Sequence, residues 1–206
     1  MLREFVRHLF PQAVLSSNLK IRYTFCLGGL AFTAFLLLTV SGLLLAFYYQ
    51  PTPERAYDSI LFLESEVRGG LYLRSLHRLA SHLFLALIFL HTLRVLLTGA
   101  YQDLRRMNWV IGCGLLGLGV FAGYTGYLLP MDQLAYWATK TGMELLRGLP
   151  FGNTLHDMLV PDATGGSLSL LRFYVLHIAV LPTALLTLSY LHFYLVRKNK
   201  GLLPYL

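Results

Sequence analysis

RSLHRLASHLFLALIFLHTLRV, residues 74–95, is the stretch that decides the fold of this chain. It is an apolar run with basic residues near both ends and three histidines inside it, His77, His82 and His91. His77 and His91 are fourteen residues apart, which in an α-helix is ~21 Å of rise and about 40° short of whole turns. Both imidazoles therefore lie on nearly one face, one towards each side of a ~30 Å hydrocarbon core. His82 is roughly 140° round the helix from His77 and faces elsewhere.

A second apolar run carries a matching pair of histidines. FYVLHIAVLPTALLTLSYLHFYLVRK, residues 173–198, places His177 and His192 fifteen residues apart. We expect Pro182, which lies between them, to accommodate the extra residue through a kink. A single histidine on an apolar helix is most often a satisfied polar residue of a bundle, but ionisable residues in membrane-length segments are usually functional. Two helices with histidines at two depths can hold two flat ligands across a membrane, which is the arrangement of two bis-histidine hemes.

The composition indicates a membrane domain. The chain has 206 residues, of which 56% are hydrophobic. Four stretches lack Asp, Glu, Lys and Arg, and all but the second exceed the ~20 residues that a spanning helix needs. The second has arginines at both ends, which can extend to the interface. We therefore predict an all-α membrane protein with one domain over residues 1–206, in which four transmembrane helices form a bundle at about residues 24–49, 74–97, 109–129 and 173–196.

Shorter segments and the charge pattern complete this prediction. Residues 1–22 form an amphipathic arm, and residues 2–10 within it predict either a short helix on the membrane surface or a frayed polar segment. The loop between the first two spans predicts a short surface helix, and the long loop between the last two predicts one or two. The net charge of +7 is concentrated in the N-terminal arm, the middle loop and the tail. This distribution indicates membrane orientation rather than nucleic-acid binding, and it places both termini on the cytoplasmic or stromal side.

Glycines in the first and third spans repeat the spacing of the histidines. Gly28 and Gly42 are fourteen residues apart, as are Gly112 and Gly126. A glycine costs helix stability, but it lets a neighbouring group approach closely. Packing between helices is the usual reason for such a pattern. The matched depth here also predicts bare backbone where the faces or edges of two hemes press in.

Three arginines flank the histidines of the second span. An arginine fork suits a carboxylate, so each is a candidate partner of a heme propionate. Each can equally serve as an anchor at the membrane interface. The three are Arg74, Arg78 and Arg94.

Several stretches together carry a resemblance to a known family. They are CLGG with Gly42 in the first span, RSLHR and LHTLRVLLTG in the second, NWVIG and GYTGYLLPMDQLAYWATK through the third, and RFYVLH and LHFYLVRK in the fourth. From about residue 23 to 198 the chain resembles cytochrome b6, the four-helix subunit of cytochrome b6f and other Rieske–cytochrome b complexes, and the N-terminal half of cytochrome b. The resemblance implies that two heme b irons are bound, the outer one by His77 and His177 and the inner one by His91 and His192.

The resemblance implies a third heme as well. In cytochrome b6 the cysteine before the paired glycines of the first helix forms a single thioether to an extra heme beside the inner b heme. Cys26 matches that position, whereas on spacing alone a lone thiol is most often a small buried hydrophobe. Cys113 matches no ligand, and we expect it to pack in the core.

The activity implied by the resemblance is quinol oxidation at the outer surface. Electrons would pass through the two b hemes to the inner c-type heme and a quinone site, coupled to proton translocation, in a quinol:cytochrome c or plastocyanin-type reductase. The implied partners are a three-helix C-terminal-type cytochrome b subunit, a Rieske iron–sulfur protein, a c-type cytochrome or similar acceptor, and a second copy in a homodimer. The implied outer quinol pocket would include Gly126, Tyr136, Thr141 and Gly142.

Two residues depart from the family pattern, and two other functions are compatible with the sequence. Met131 stands where cytochrome b6 commonly has tryptophan, and His82 has no counterpart, so we expect it to face lipid or a partner. A diheme subunit could instead link quinone to a soluble dehydrogenase or reductase without a Rieske partner. A heme-free four-helix transporter could use its histidines to relay protons. The segment PMDQLAYWATK favours the quinol-oxidising subunit of a Rieske–cytochrome b complex over both alternatives, because in the family it serves a Rieske-type quinol site.

Overall fold

Long helices joined by shorter ones make up the part of the chain that the structure describes. The structure is a computed structural model, and it describes residues 26–198, so the N-terminal surface helix predicted at residues 2–10 lies outside this range. The helices are α1 (Leu27–Ala46), α2 (Ala56–Ser65), α3 (Gly70–Leu97), α4 (Arg106–Leu128), α5 (Gln133–Arg147), α6 (Gly152–Leu159), α7 (Ser167–Val175) and α8 (Leu181–Lys198). A 3-10 turn at Asp103–Arg105 precedes α4, and a π-helical segment at Leu176–Val180 joins α7 to α8.

Four of these helical runs are long and apolar enough to cross a membrane. They are α1, α3, α4 and the continuous run Ser167–Lys198, which contains α7, the π-helical segment and α8. The prediction of an all-α membrane protein with four spans is therefore confirmed. The second span begins at Gly70, four residues before its predicted start, where Gly69 takes a φ of 81° that glycine tolerates best.

Asp162 defines the start of the fourth span, which is six residues earlier than predicted. Its carboxylate accepts hydrogen bonds from the backbone N–H groups of Leu168 (2.9 Å) and Ser169 (3.2 Å), and from the Ser169 hydroxyl. The first turn of a helix leaves its N–H groups without partners inside the helix, and this side chain satisfies two of them. The Ser169 hydroxyl and these N–H groups hold the pKa of Asp162 well below its usual range.

The fourth span changes its register one turn before Pro182. Leu176–Val180 is π-helical, and the N–H of Leu181 donates to the carbonyl of Leu176, five residues back. A π turn inserts one extra residue into a helix. The insertion accounts for the spacing of fifteen between the histidines of this span, against fourteen in α3. The sequence attributed the register change to the proline itself, but the widened turn precedes it.

Side-chain packing divides the bundle into layers. One buried cluster joins the end of α4 to α7 and to the surface helix α5, through Leu128, Phe173 and Met143. A second cluster lies at the middle of the bundle and contains Phe35 and Phe84, whose ring centroids are 6.1 Å apart. As predicted, α2 lies between the first two spans, and the long loop between the last two forms α5 and α6.

Candidate functional site

The four histidines meet in two pairs, each formed by α3 and the fourth span. The ring centroids of His77 and His177 are 6.3 Å apart with their planes at 77°. Those of His91 and His192 are also 6.3 Å apart, with their planes at 83°. Two imidazole–metal bonds of ~2.0 Å, a length typical of metal-bound histidine, together with the two half-rings account for a separation of this size. Each pair therefore has room for one metal ion between its rings.

Four glycines of α1 and α4 hold these rings against bare backbone. The contacts are Gly28 with His91, Gly42 with His77, Gly112 with His192, and Gly126 with His177. An added Cβ atom would come within 3.1 to 3.4 Å of the nearest ring atom at the first three glycines. At Gly126 it would lie 2.9 Å from both ring nitrogens of His177. In the structure the histidine rings contact these glycines, and the prediction that heme also packs on them stays a prediction.

A backbone carbonyl one turn before the glycine orients the ring. Nδ1 of His177 is 2.9 Å from the carbonyl oxygen of Ala122, four residues before Gly126. The carbonyls of Leu38 and Asn108 hold the equivalent position and interact with the rings of His77 and His192, although Nδ1 of His192 makes no hydrogen bond of good geometry within residues 26–198. A carbonyl can only accept a hydrogen bond, so the imidazole proton of His177 resides on Nδ1 and its lone pair on Nε2. This arrangement leaves Nε2 available to a metal.

Two hydroxyls near the first histidine pair were missed by the sequence analysis. Ser41 Oγ is 2.8 Å from Nδ1 of His77, and Thr125 Oγ1 is 3.4 Å from Nδ1 of His177. Both side chains are buried. The available signal was that a hydroxyl residue directly precedes Gly42 and Gly126, but not the other two glycines.

Comparison with known proteins assigns the chain to a family. The profile of the family described as Cytochrome b/b6/petB matches residues 12–200. The chain belongs to the cytochrome b/b6 family. Cytochrome b6 of Heliobacterium mobile is 45% identical over 183 residues, which are 88% of this chain and 85% of that protein. The menaquinol:cytochrome c reductase cytochrome b subunit of Bacillus subtilis is 35% identical over 202 residues, 97% of this chain and 90% of that protein.

A solved structure supports the same assignment. A chain of a hyperthermophilic respiratory Complex III matches with a TM-score of 0.80 and 26% identity. The match covers 96% of this chain and 52% of the solved one, so this chain spans about half the length of that relative. The four-span architecture is therefore the fold of the family.

Membership of the cytochrome b family implies heme b, and the residues present fit that group. A cavity of about 680 Å³ adjoins the second histidine pair and is lined by both of its rings, His91 and His192. Cys26 lies at the start of α1 with a left-handed φ of 49° and lines the same cavity. The Cys26 side chain is exposed. The cavity therefore joins the cysteine that the sequence singled out to the histidine pair that it predicted there.

The three arginines differ in their surroundings. Arg94 lines the cavity beside His91. Arg74 forms an ion pair with Glu64 of α2, so it ties the surface helix to α3. Arg78 is exposed on α3. Of the three arginines that the sequence proposed as propionate partners, Arg94 is thus the one that lines this cavity.

The residues suggested for an outer quinol pocket lie along α4 and α5. Gly126 packs on His177, and Tyr136 packs edge-on against Trp137 at 5.2 Å between ring centroids. Thr141 is exposed. An added Cβ at Gly142 would lie 2.5 Å from the Tyr124 hydroxyl, so this glycine makes room for a tyrosine of α4. These contacts give Gly126 and Gly142 packing roles within this chain.

The structure shows the exposure or the backbone conformation of three further residues that the sequence analysis noted. His82 is exposed on α3 and points away from the paired histidines, as its angle round the helix predicted. Cys113 is exposed rather than packed in the core, because it follows Gly112 and so leaves the face of α4 that contacts His192. Met131 takes a φ of 53°, a left-handed conformation that is uncommon for a residue with a side chain.

Proposed function

We propose that this chain is the heme-carrying, electron-transferring subunit of a quinol-oxidising oxidoreductase of the quinol:cytochrome c or plastocyanin reductase type. The observation that carries the proposal is the presence of two histidine pairs at two depths of one bundle, each with its rings 6.3 Å apart. His77 and His177 would ligate the iron of an outer heme b, and His91 and His192 that of an inner one. Heme b supplies one-electron transfer at each site.

The residues between the two pairs would let electrons cross while excluding water. Fourteen residues of α3 separate its two histidines, or ~21 Å along the helix axis. The mid-bundle cluster of the apolar residues Phe35, Phe84, Ala31 and Leu185 lies within this interval. Protons need polar groups or water to move, so an apolar layer keeps them on their own side. Quinol oxidation at the outer surface and quinone reduction at the inner one would then translocate protons.

Cys26 is proposed to hold a c-type heme through a thioether. It shares the cavity of about 680 Å³ with His91 and His192, and it is exposed enough for its sulfur to react. Arg94 lines the same cavity and can bind a propionate. Electrons arriving at the inner pair would therefore leave through a group beside the cavity, towards a quinone at this surface.

The remaining parts of the complex would come from partners. The chain covers about half of its Complex III relative, and a separate three-helix subunit would supply the other half. A Rieske iron–sulfur protein and a c-type cytochrome, or a similar acceptor, would receive the high-potential electron, and the complex would be a homodimer. The outer quinol pocket would use Tyr136, Thr141 and Gly142 beside Gly126, completed by the partner subunit. Both termini would lie on the cytoplasmic or stromal side.

The test is a heme count on the purified complex. We expect reduced-minus-oxidised spectra with two b-type components, and a pyridine hemochrome assay in which acid–acetone extracts two hemes and leaves one bound. A preparation without b-type signals would contradict the proposal and favour a heme-free bundle. Two extractable hemes with none left behind would contradict the role of Cys26 alone. Purification with a dehydrogenase instead of a Rieske protein would contradict the assigned reductase.

A further inference from the structure

The hydroxyl of Ser41 can only accept a hydrogen bond from His77, because its own proton is donated to a backbone carbonyl. Ser41 is 2% exposed, and its Oγ lies 2.7 Å from the carbonyl of Leu37, one turn earlier in α1. A hydroxyl has a single proton to donate, and this carbonyl, which cannot donate, takes it. Nδ1 of His77 is 2.8 Å from the same Oγ. An Nδ1–H of His77 can therefore donate to a lone pair of the serine oxygen, which adds to the Leu38 carbonyl that also interacts with this ring.

The second ligand of the outer pair has a weaker copy of this contact. Thr125 Oγ1 donates to the carbonyl of Ala122 at 3.0 Å, and it lies 3.4 Å from Nδ1 of His177. The ring of His177 is also held by the same Ala122 carbonyl at 2.9 Å. The hydroxyl is thus a second acceptor at the edge of hydrogen-bond distance.

The inner pair has no hydroxyl at the same register. The residues directly before Gly28 and Gly112 are Leu27 and Ile111. The carbonyl of Asn108 interacts with the ring of His192. Even so, the buried Nδ1 of His192 has no partner of good hydrogen-bond geometry within residues 26–198. The two layers repeat each other in their glycines and histidines but differ in the acceptor offered to Nδ1.

We propose that Ser41 is a positioning residue that lowers the reduction potential of the outer heme relative to the inner one. The proposal rests on the ligation by His77 proposed above. A hydrogen bond accepted from Nδ1–H makes the imidazole a stronger donor to the metal, and a stronger donor favours the oxidised iron. Thr125 acts in the same direction through His177. The resulting difference drives electrons from the outer pair to the inner pair.

The experiment is redox potentiometry of the b hemes in the purified complex, with the Ser41→Ala variant against wild type. We expect the outer heme to become easier to reduce by up to about tenfold in its equilibrium constant, which for one electron is ~59 mV. The inner heme should not shift. The Ser41→Thr variant keeps a hydroxyl at the same position and should return the outer potential to near the wild-type value. The signal that survives in a His91→Ala variant identifies the outer heme.

A reciprocal variant tests the same idea should Ser41→Ala fail to assemble. Ile111→Thr puts a hydroxyl at the matching register beside His192, and it should lower the potential of the inner heme while the outer one stays unchanged. Unchanged potentials in both Ser41→Ala and Ile111→Thr, with both b hemes present, would overturn this inference and leave the ligation intact. A wild-type complex without two b hemes would overturn the ligation and this inference together.

Discussion

Replacing Gly126 by alanine should weaken the binding of the outer heme. An added Cβ would lie 2.9 Å from both nitrogens of the His177 ring, whereas ordinary contact begins at 3.4 Å. Cε1 of the same ring would be nearer still, so the ring must retreat by about 1 Å, and metal–ligand distances vary by only about 0.2 Å in well-formed sites. Overpacking of this kind costs ~1–3 kcal/mol, which corresponds to roughly 5- to 150-fold weaker binding.

Gly112→Ala is the matched control. Gly112 lies in the same helix, fourteen residues earlier, and its added Cβ would lie 3.4 Å from Cε1 of His192, which is ordinary contact. Both changes gain about the same helix propensity, ~1 kcal/mol, so a difference between them reports the contact with the ring. Heme content and the reduced-minus-oxidised b spectrum are the readouts, because they do not depend on quinol binding. Equal retention of both hemes in the two variants would refute the reasoning.

Three other substitutions test separate parts of the site. His91→Ala should remove the inner b heme and leave much of the outer one, and spectra that keep both b signals would argue against the assigned ligation. Cys26→Ser should abolish heme staining on a denaturing gel without loss of the b hemes, so persistent staining would rule out the thioether. Asp162→Asn should lower the unfolding temperature at pH 7, because the carboxylate with its lowered pKa caps the fourth span. That deficit should shrink as the pH falls below ~4, the ordinary aspartate value, and a deficit that does not change with pH would contradict the charge-based cap.

The histidine pairs were predictable because helix geometry is rigid. A spacing of fourteen residues fixes both depth and direction on a straight helix, and a charge-free run of membrane length leaves few alternatives to a span. His77 and His91 could therefore be placed on one face of α3 from their positions alone. The glycines could be matched to them by depth for the same reason. What they contact was not predictable, since that depends on how far α1 and α4 are rotated towards α3 and the fourth span.

Contacts that depend on helix rotation or on local changes of the backbone could not be predicted from the sequence. The hydroxyl of Ser41 reaches His77 only because α1 turns that face inwards. Arg74 pairs with Glu64 because the loop folds α2 back onto α3, and no periodicity reports such a loop. Cys113 adjoins Gly112, and a shift of one residue, ~100° round a helix, carries it from the packed face to the outside. The π turn at Leu176–Val180 could be suspected from a proline but not located.

The two layers of the bundle share a framework but differ in what surrounds it, and this difference gives the proposed electron path a direction. Two identical layers would have equal potentials and equal access, so electrons would have no preferred exit. The outer pair has hydroxyl acceptors on both ligands, and the helices α5 and α6 pack at its end of the bundle through the cluster around Phe173. Within residues 26–198 no such hydroxyl acceptor is found at the inner pair, which adjoins a cavity of about 680 Å³ that reaches Cys26. On the proposed path, electrons would enter at the pair whose ligands lower the reduction potential, and they would leave at the pair beside the open cavity.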